Sequence, residues 1–283
     1  MAANEHRESG IRRRFAEAVQ RGSEQVDLAR AALLIAKEEY PSLDEQACLT
    51  QLDQMAERVS QRLEAERLAK QVIAALNAHL FDELGFRGNA QDYYDPRNSF
   101  LNDVLERRVG IPITLSLVYM EVARRLDFDV QGVGMPGHFL VKHSELDREY
   151  FIDPYHKGAI LTEADCEARL AQVYQRPVKF ESAFLTTVDS KQVLVRMLNN
   201  LKHVYLSQSA WDKALAAVER ALLVSPKDAT LHKEKGLLNL QVRQVYTAIA
   251  DLNTYLELAP EAPDAPQVKE LIANLWRGLS QKN

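Results

Sequence analysis

Along most of the chain, apolar residues recur at three- and four-residue steps, the period of helices. Val26 to Glu39, VDLARAALLIAKEE, places Leu28, Ala31, Ala32, Ile35 and Ala36 on one side. Pro41 ends this helix, and Ser42 with Glu45 reads as a capping box for the next. That next helix runs to about Leu63 with Leu49, Leu52, Met55, Ala56 and Val59 inward, and the charged stretch Glu64 to Lys70 either breaks or continues it. Further helices are expected over Leu68 to Glu83 and over Phe100 to Arg107, the latter with Asn98 or Ser99 as N-cap. The intervening Gly85 to Ser99 is rich in Gly, Asn, Asp, Tyr and Pro and reads as a long ordered loop, in which either Asp92, Tyr93, Tyr94 and Asp95 line a cleft next to the histidine or the tyrosines pin the loop to the core.

The pattern changes within Gly110 to Gly158. Pro112 suits the first turn of a helix, where its missing N–H costs nothing. Leu115, Val118, Tyr119, Val122, Ala123 and Leu126 form its stripe, widened by Leu117 and Met120, so the helix should be buried over much of its circumference. Three short strands follow, over 130–135, 138–143 and 148–153. In the second, His138, Leu140 and Lys142 share one face and Phe139, Val141 and His143 the other. Ser144 to Asp147 is a polar turn, so the second and third strands should pair as an antiparallel hairpin. His138 then lies beside Asp153, a carboxylate able to fix the tautomer of an imidazole and raise its basicity.

Two features complete the helical reading. Glu163 to about Gln172 is a helix begun by Thr162, and Arg176-Pro177 to about Thr187 is a linker with an extended piece. From Lys191 onward, AWDKALAAVERALLVSP aligns with QVYTAIADLNTYLELAP at an offset of 34 residues, placing Ala214 over Ala248 and Pro226 over Pro260. That period, with a small residue in the second helix and a proline after it, is the tetratricopeptide signature. Gly236 is kept in the second repeat, Asn239 stands where an aromatic is usual, and Gln267 to Leu279 reads as a capping helix.

Composition narrows the function. A formal charge of −5 argues against a nucleic-acid surface over the whole molecule. The run Arg12, Arg13, Arg14 in the charged N-terminal 25 residues reads as a solvated helix face. No apolar run approaches the roughly 20 residues needed to span a bilayer. Two cysteines, Cys48 and Cys166, fit a reducing cytoplasm, and both read as structural. No cofactor is implied. A metal site on His138, His143, Asp153 and His156 is disfavoured, because residues five apart on a strand face opposite sides.

A helix, then a strand with His138, then a strand ending in Asp153-Pro154 resembles the core of the transglutaminase-like superfamily. The stretches AALLIAKEEYPSLD, NSFLNDVLERRVGIPITLSLVYMEVARRL and GVGMPGHFLVKH are similar to the SirB-type family of bacterial proteins, named as invasion or virulence regulators. The resemblance covers the chain from about Asp27 onward. It implies an α+β fold: a helical N-terminal layer and a papain-like core with a small antiparallel sheet over 1–188, then an α-helical tetratricopeptide module over 189–283. It also implies a Cys-His-Asp triad, with the nucleophilic cysteine at the helix N-terminus, at about Pro112. No cysteine is near; Thr114 and Ser116 are the nearest hydroxyls. The expectation is therefore a non-catalytic regulatory or interaction protein that keeps His138 and Asp153 as a remnant. Its protein partner would be met through the repeats or the His138 cleft, with no direct nucleic-acid or membrane contact. The alternative is a hydrolase or acyltransferase using Thr114 or Ser116 with His138 and Asp153.

Overall fold

The computed structural model describes residues 2–64, 68–146, 148–176 and 178–281. The chain divides into two compact units, Met1–Met197 and Leu198–Asn283.

The first unit opens with helices α1 (Ala2–Val19), α2 (Leu28–Glu39), α3 (Glu45–Ser60) and α4 (Ala69–Asn77). The spacing of Ile11, Phe15 and Val19, all buried, lays α1 onto the apolar α2. The carboxylate of Glu45, 8% exposed, takes Arg14 of α1 at 2.9 Å and Lys37 of α2 at 3.0 Å, joining three helices. Arg12 pairs with Glu38 at 3.3 Å. The basic run keeps its solvent exposure while Arg12 and Arg14 also reach acidic partners on the neighbouring helices and Arg13 faces Glu17. Asp44, directly before the first turn of α3, accepts from Ala47 N at 3.1 Å and takes the capping role expected of Ser42. Residues 65–67 of the charged stretch lie outside the described residues. The helix expected to run unbroken from Leu68 to Glu83 changes to a π-helical turn over Ala78–Glu83, in which Leu84 N donates to His79 O at 3.0 Å.

A short parallel pair, β1 (Arg87–Gly88) with β2 (Val109–Gly110), brackets the long loop and α5 (Leu101–Arg107). Neither Asn98 nor Ser99 caps α5; Phe100 holds that position without a side-chain bond. Asn98 is instead fully buried and pins the loop, donating to Asp92 O at 2.7 Å and accepting from Asn89 at 3.1 Å. Helix α6 (Pro112–Arg125) is buried along nearly its whole length, as its double stripe requires.

Strands β3 (Gln131–Val133), β4 (Leu140–Glu145), β5 (Arg148–Asp153), β6 (Ala159–Leu161) and β7 (Thr187–Val188) form one antiparallel sheet in the order β6-β5-β4-β3-β7. The β4–β5 hairpin pairs Val141 with Ile152. The polar turn is shorter than expected, since β4 runs to Glu145 and Leu146 takes the left-handed turn position; Asp147 is outside the described residues. The edge strands β6 and β7 carry no period-2 signal of useful length, and β7 occupies the segment expected to be a linker, whose Pro177 is outside the described residues. Helix α7 (Glu163–Tyr174) is opened by Thr162, which forms a capping box with Asp165. Helix α8 (Ser190–Ser207) carries the division between the units.

The second unit continues with α9 (Trp211–Val224), α10 (Ala229–Gln241), α11 (Val245–Leu258) and α12 (Ala265–Ser280). Ala214 and Ala248 are fully buried, and a Cβ on Gly236 would meet Leu252 at 2.8 Å, so the small residues of the repeat mark where helices approach most closely.

In the first unit Gly158, at φ +72°, ends the turn after β5, and Asn77 Nδ2 donates to its carbonyl at 2.8 Å. A Cβ there would overlap the Asn77 carboxamide. Gly158→Ala should therefore cost about 1–3 kcal/mol from left-handed backbone and lost packing together. Urea unfolding followed by far-UV circular dichroism measures it; an unchanged midpoint would count against this tether.

Candidate functional site

Gly137 sets the site's first element. Its φ of +72° turns the backbone, and His138 N donates to Met135 O at 3.1 Å. His138 therefore sits in a tight turn just before β4 and not on the strand, as its alternation with Leu140 had implied. Arg196 of α8 holds this turn, donating through one nitrogen to the carbonyls of Met135 and His138, each at 2.6 Å. Its guanidinium lies over the Phe139 ring, 5.4 Å from the centroid.

Asp153 ends β5 and caps the following 3-10 turn, Pro154–His156. Its Oδ1 accepts from Tyr155 N at 3.1 Å and His156 N at 3.3 Å. Its Oδ2 lies 2.9 Å from His138 Nε2 and 2.7 Å from His156 Nδ1. Arg169 of α7 stands behind, with Nε 3.7 Å from the carboxylate and a terminal nitrogen 3.2 Å from His156 Nε2. Asp153 is fully buried. Burial alone would raise its pKa, but the bonds and charges from His138 and His156 more than offset this and hold it well below the usual carboxylate range.

The proton positions follow from chemistry. A carboxylate only accepts, so both imidazole nitrogens facing Asp153 carry hydrogen. The Arg169 donor requires a lone pair on His156 Nε2, which fits the same assignment. In neutral His138 the lone pair then sits on Nδ1, which has no hydrogen-bond partner among the described residues. This is an oriented base. The three ligand atoms of His138, Asp153 and His156 lie within 4.8 Å of one another, a spacing able to seat a cation. A cation would have to displace both N–H donors, and Arg169 opposes it twice, by charge and by holding His156 in the wrong tautomer.

The other candidates lie elsewhere or are engaged. Thr114 Oγ1 donates to Asn98 O at 2.7 Å and accepts from Ile111 N at 3.1 Å, so its hydroxyl closes the N-terminus of α6. Ser116 is fully buried and its hydroxyl has no partner among the described residues. His143 stacks on Phe128 at 4.0 Å, with Nδ1 2.6 Å from Asp129 O, apart from the metal-spaced trio. Of the loop, Tyr93 stacks edge-on against Tyr94 at 5.5 Å and its hydroxyl pKa is raised chiefly by burial, while Tyr155 lies edge-on to His138 at 6.1 Å. Asp95 is buried and paired with Arg97 at 2.8 Å and Arg107 at 3.3 Å. The positioning roles of His156, Arg169 and Arg196 left no sequence signal beyond residue type.

A profile of the transglutaminase-like superfamily matches residues 46–199, and a tetratricopeptide-repeat profile matches residues 201–273. The chain belongs to the transglutaminase-like superfamily. A UPF0162 protein of Xylella fastidiosa is 36% identical over 255 residues, covering 89% of this chain and 91% of that one. Human F-box only protein 21 is 39% identical over 142 residues, 47% of this chain and 22% of that protein. The crystal structure of menin aligns at a TM-score of 0.42 and 12% identity, over 89% of this chain and 70% of that one, a likeness too slight to bear on this fold.

The chain's two cysteines, Cys48 and Cys166, are both buried. Cys166 packs among Val133, Met135, Leu140, Phe151 and Leu185, and burial, with the Asp165 and Asp153 carboxylates, pushes its thiol up to about 11. Cys48 is buried in α3, its pKa raised by burial and by Asp44. Neither thiol hydrogen-bonds to His138 among the described residues.

Because Asp153 titrates lower folded than unfolded, its contribution is complete above the ordinary carboxylate pKa near 4 and is lost as pH falls toward the native value. Asp153→Asn should remove about 3–5 kcal/mol at pH 7, the cost of breaking a buried charge network. The gap between the two proteins in denaturant unfolding should narrow below about pH 4. A gap constant from pH 7 to pH 2 would contradict the assignment.

Proposed function

We propose that this protein is a non-catalytic transglutaminase-like and tetratricopeptide-repeat protein acting as a regulatory protein-interaction module. One observation carries the reading: His138 and Asp153 form an oriented pair while both thiols are buried elsewhere, and Pro112 stands at about the position that the family resemblance assigns to the nucleophile. The hydroxyl alternatives are poorly placed. Thr114 is committed to the backbone of Asn98 and Ile111, and Ser116 is sealed inside α6.

The repeats support an interaction role. Such repeats offer surfaces to proteins, and here Tyr246 and Trp276 stand exposed as an edge-on pair 6.1 Å apart. The resemblance to the SirB-type family supports regulation. Two unpaired, buried cysteines support a reducing compartment, the cytoplasm. No helix among the described residues is long and apolar enough to cross a membrane.

Incubation of the full-length protein with amide and peptide substrates and an amine donor should give no turnover. Turnover abolished by His138→Ala would defeat the proposal. The same chain used as bait should retain a specific protein, and Tyr246→Ala combined with Trp276→Ala should weaken that retention at least tenfold, about 1.4 kcal/mol. A bait that holds nothing would count equally against it.

A further inference from the structure

A second histidine–carboxylate pair lies outside the site above. The π-helical turn Ala78–Glu83 places His79 Nδ1 2.9 Å from Glu83 Oε2. Such turns are frequent at functional sites. Arg62 grips the same carboxylate with both terminal nitrogens, one at 2.7 Å from Oε2 and the other on Oε1. Held by Arg62 and then by His79, the Glu83 carboxyl is lowered to about 2 and stays ionised. His79 Nδ1 therefore carries its proton, and Nε2 has no hydrogen-bond partner among the described residues. His79 is only 6% exposed, yet it lines an open cleft of about 440 Å³.

The cleft is cationic. Arg58, on the face of α3 that also presents Gln51 and Gln54, forms no ion pair or hydrogen bond among the described residues. Arg108, in the left-handed position after α5 with φ 58°, is fixed by donating to Leu84 O at 2.9 Å, and no carboxylate neutralises it among the described residues. Glu106 is the one acidic residue of the lining. Met55 and Leu105 supply an apolar wall.

We propose that this cleft binds a phosphate monoester with an apolar organic group. Two guanidinium groups and two carboxamides supply the donors, and a phosphate presents three oxygens to them where a carboxylate presents two; His79 Nε2, its ring proton being on Nδ1, is left to accept from the P–OH of the monoanionic ester. The guanidinium fork matches phosphate geometry, and the organic group would lie along Met55 and Leu105.

Phenyl phosphate titrated into the full-length protein, followed by calorimetry and by NMR of the histidine rings, tests this. Saturable binding is expected, with the His79 resonances moving and those of His138 unmoved. Arg58→Gln, a change at an exposed side chain, should weaken binding about tenfold without altering the melting temperature. Gln54→Glu should abolish it by adding a like charge. Absence of saturable binding, equal binding of benzoate, shifts centred on His138, or indifference to both substitutions would each overturn the assignment.

Discussion

A carboxylate withdrawn from water has to be surrounded by donors, and Asp153 is the point at which this unit meets that demand. Its two oxygens collect four N–H groups: two backbone amides of the turn that follows and two imidazoles, one from before β4 and one from the turn itself. Arg169 closes the shell from α7. The end of β5, the start of β4 and the helix between β6 and β7 are thus tied to one charge. Asn77, from the helical layer, fastens the far end of the same turn at Gly158. Removing any one donor leaves buried charge behind, which is why the arrangement behaves as a unit.

The surroundings of His138 are built with equal rigidity. Arg196 satisfies two carbonyls of its turn while its own charge rests on Phe139. Asn98 spends its side chain on the tyrosine-bearing loop and its carbonyl on Thr114, so loop and helix N-terminus are fixed to each other. The result is a preorganised base with an open lone pair and no sulfur to activate.

The repeat unit shows how a departure from its pattern is absorbed. Asn239 takes a place where an aromatic ring is usual, and it is buried. Its carboxamide donates to Asp251 at 2.8 Å, and Lys235 reaches the other oxygen of that carboxylate at 3.0 Å. A polar network thereby replaces ring packing between α10 and α11. It is tolerated because each buried group finds its partner.

Local rules carried the reading of the chain wherever one residue's chemistry suffices. Periodicity marked α2, α3 and α6, Pro112 marked the start of α6, and the 34-residue offset marked the paired helices of the second unit, since each is decided by neighbours in sequence. The closeness of His138 and Asp153 was also legible, because a hairpin brings its own strands together. What lay beyond sequence depends on distant partners. Glu45 became a junction because two other helices delivered cations to it. The turn holding His138 depends on Arg196, 58 residues away, and β7 is a strand only because β3 offers it hydrogen bonds. The π-helical turn arises inside a stretch whose period is helical throughout, so no pattern announces it. Spacing along a chain encodes which face a residue takes; which charge it will meet there is set by the packing of elements far apart, and only the folded molecule decides it.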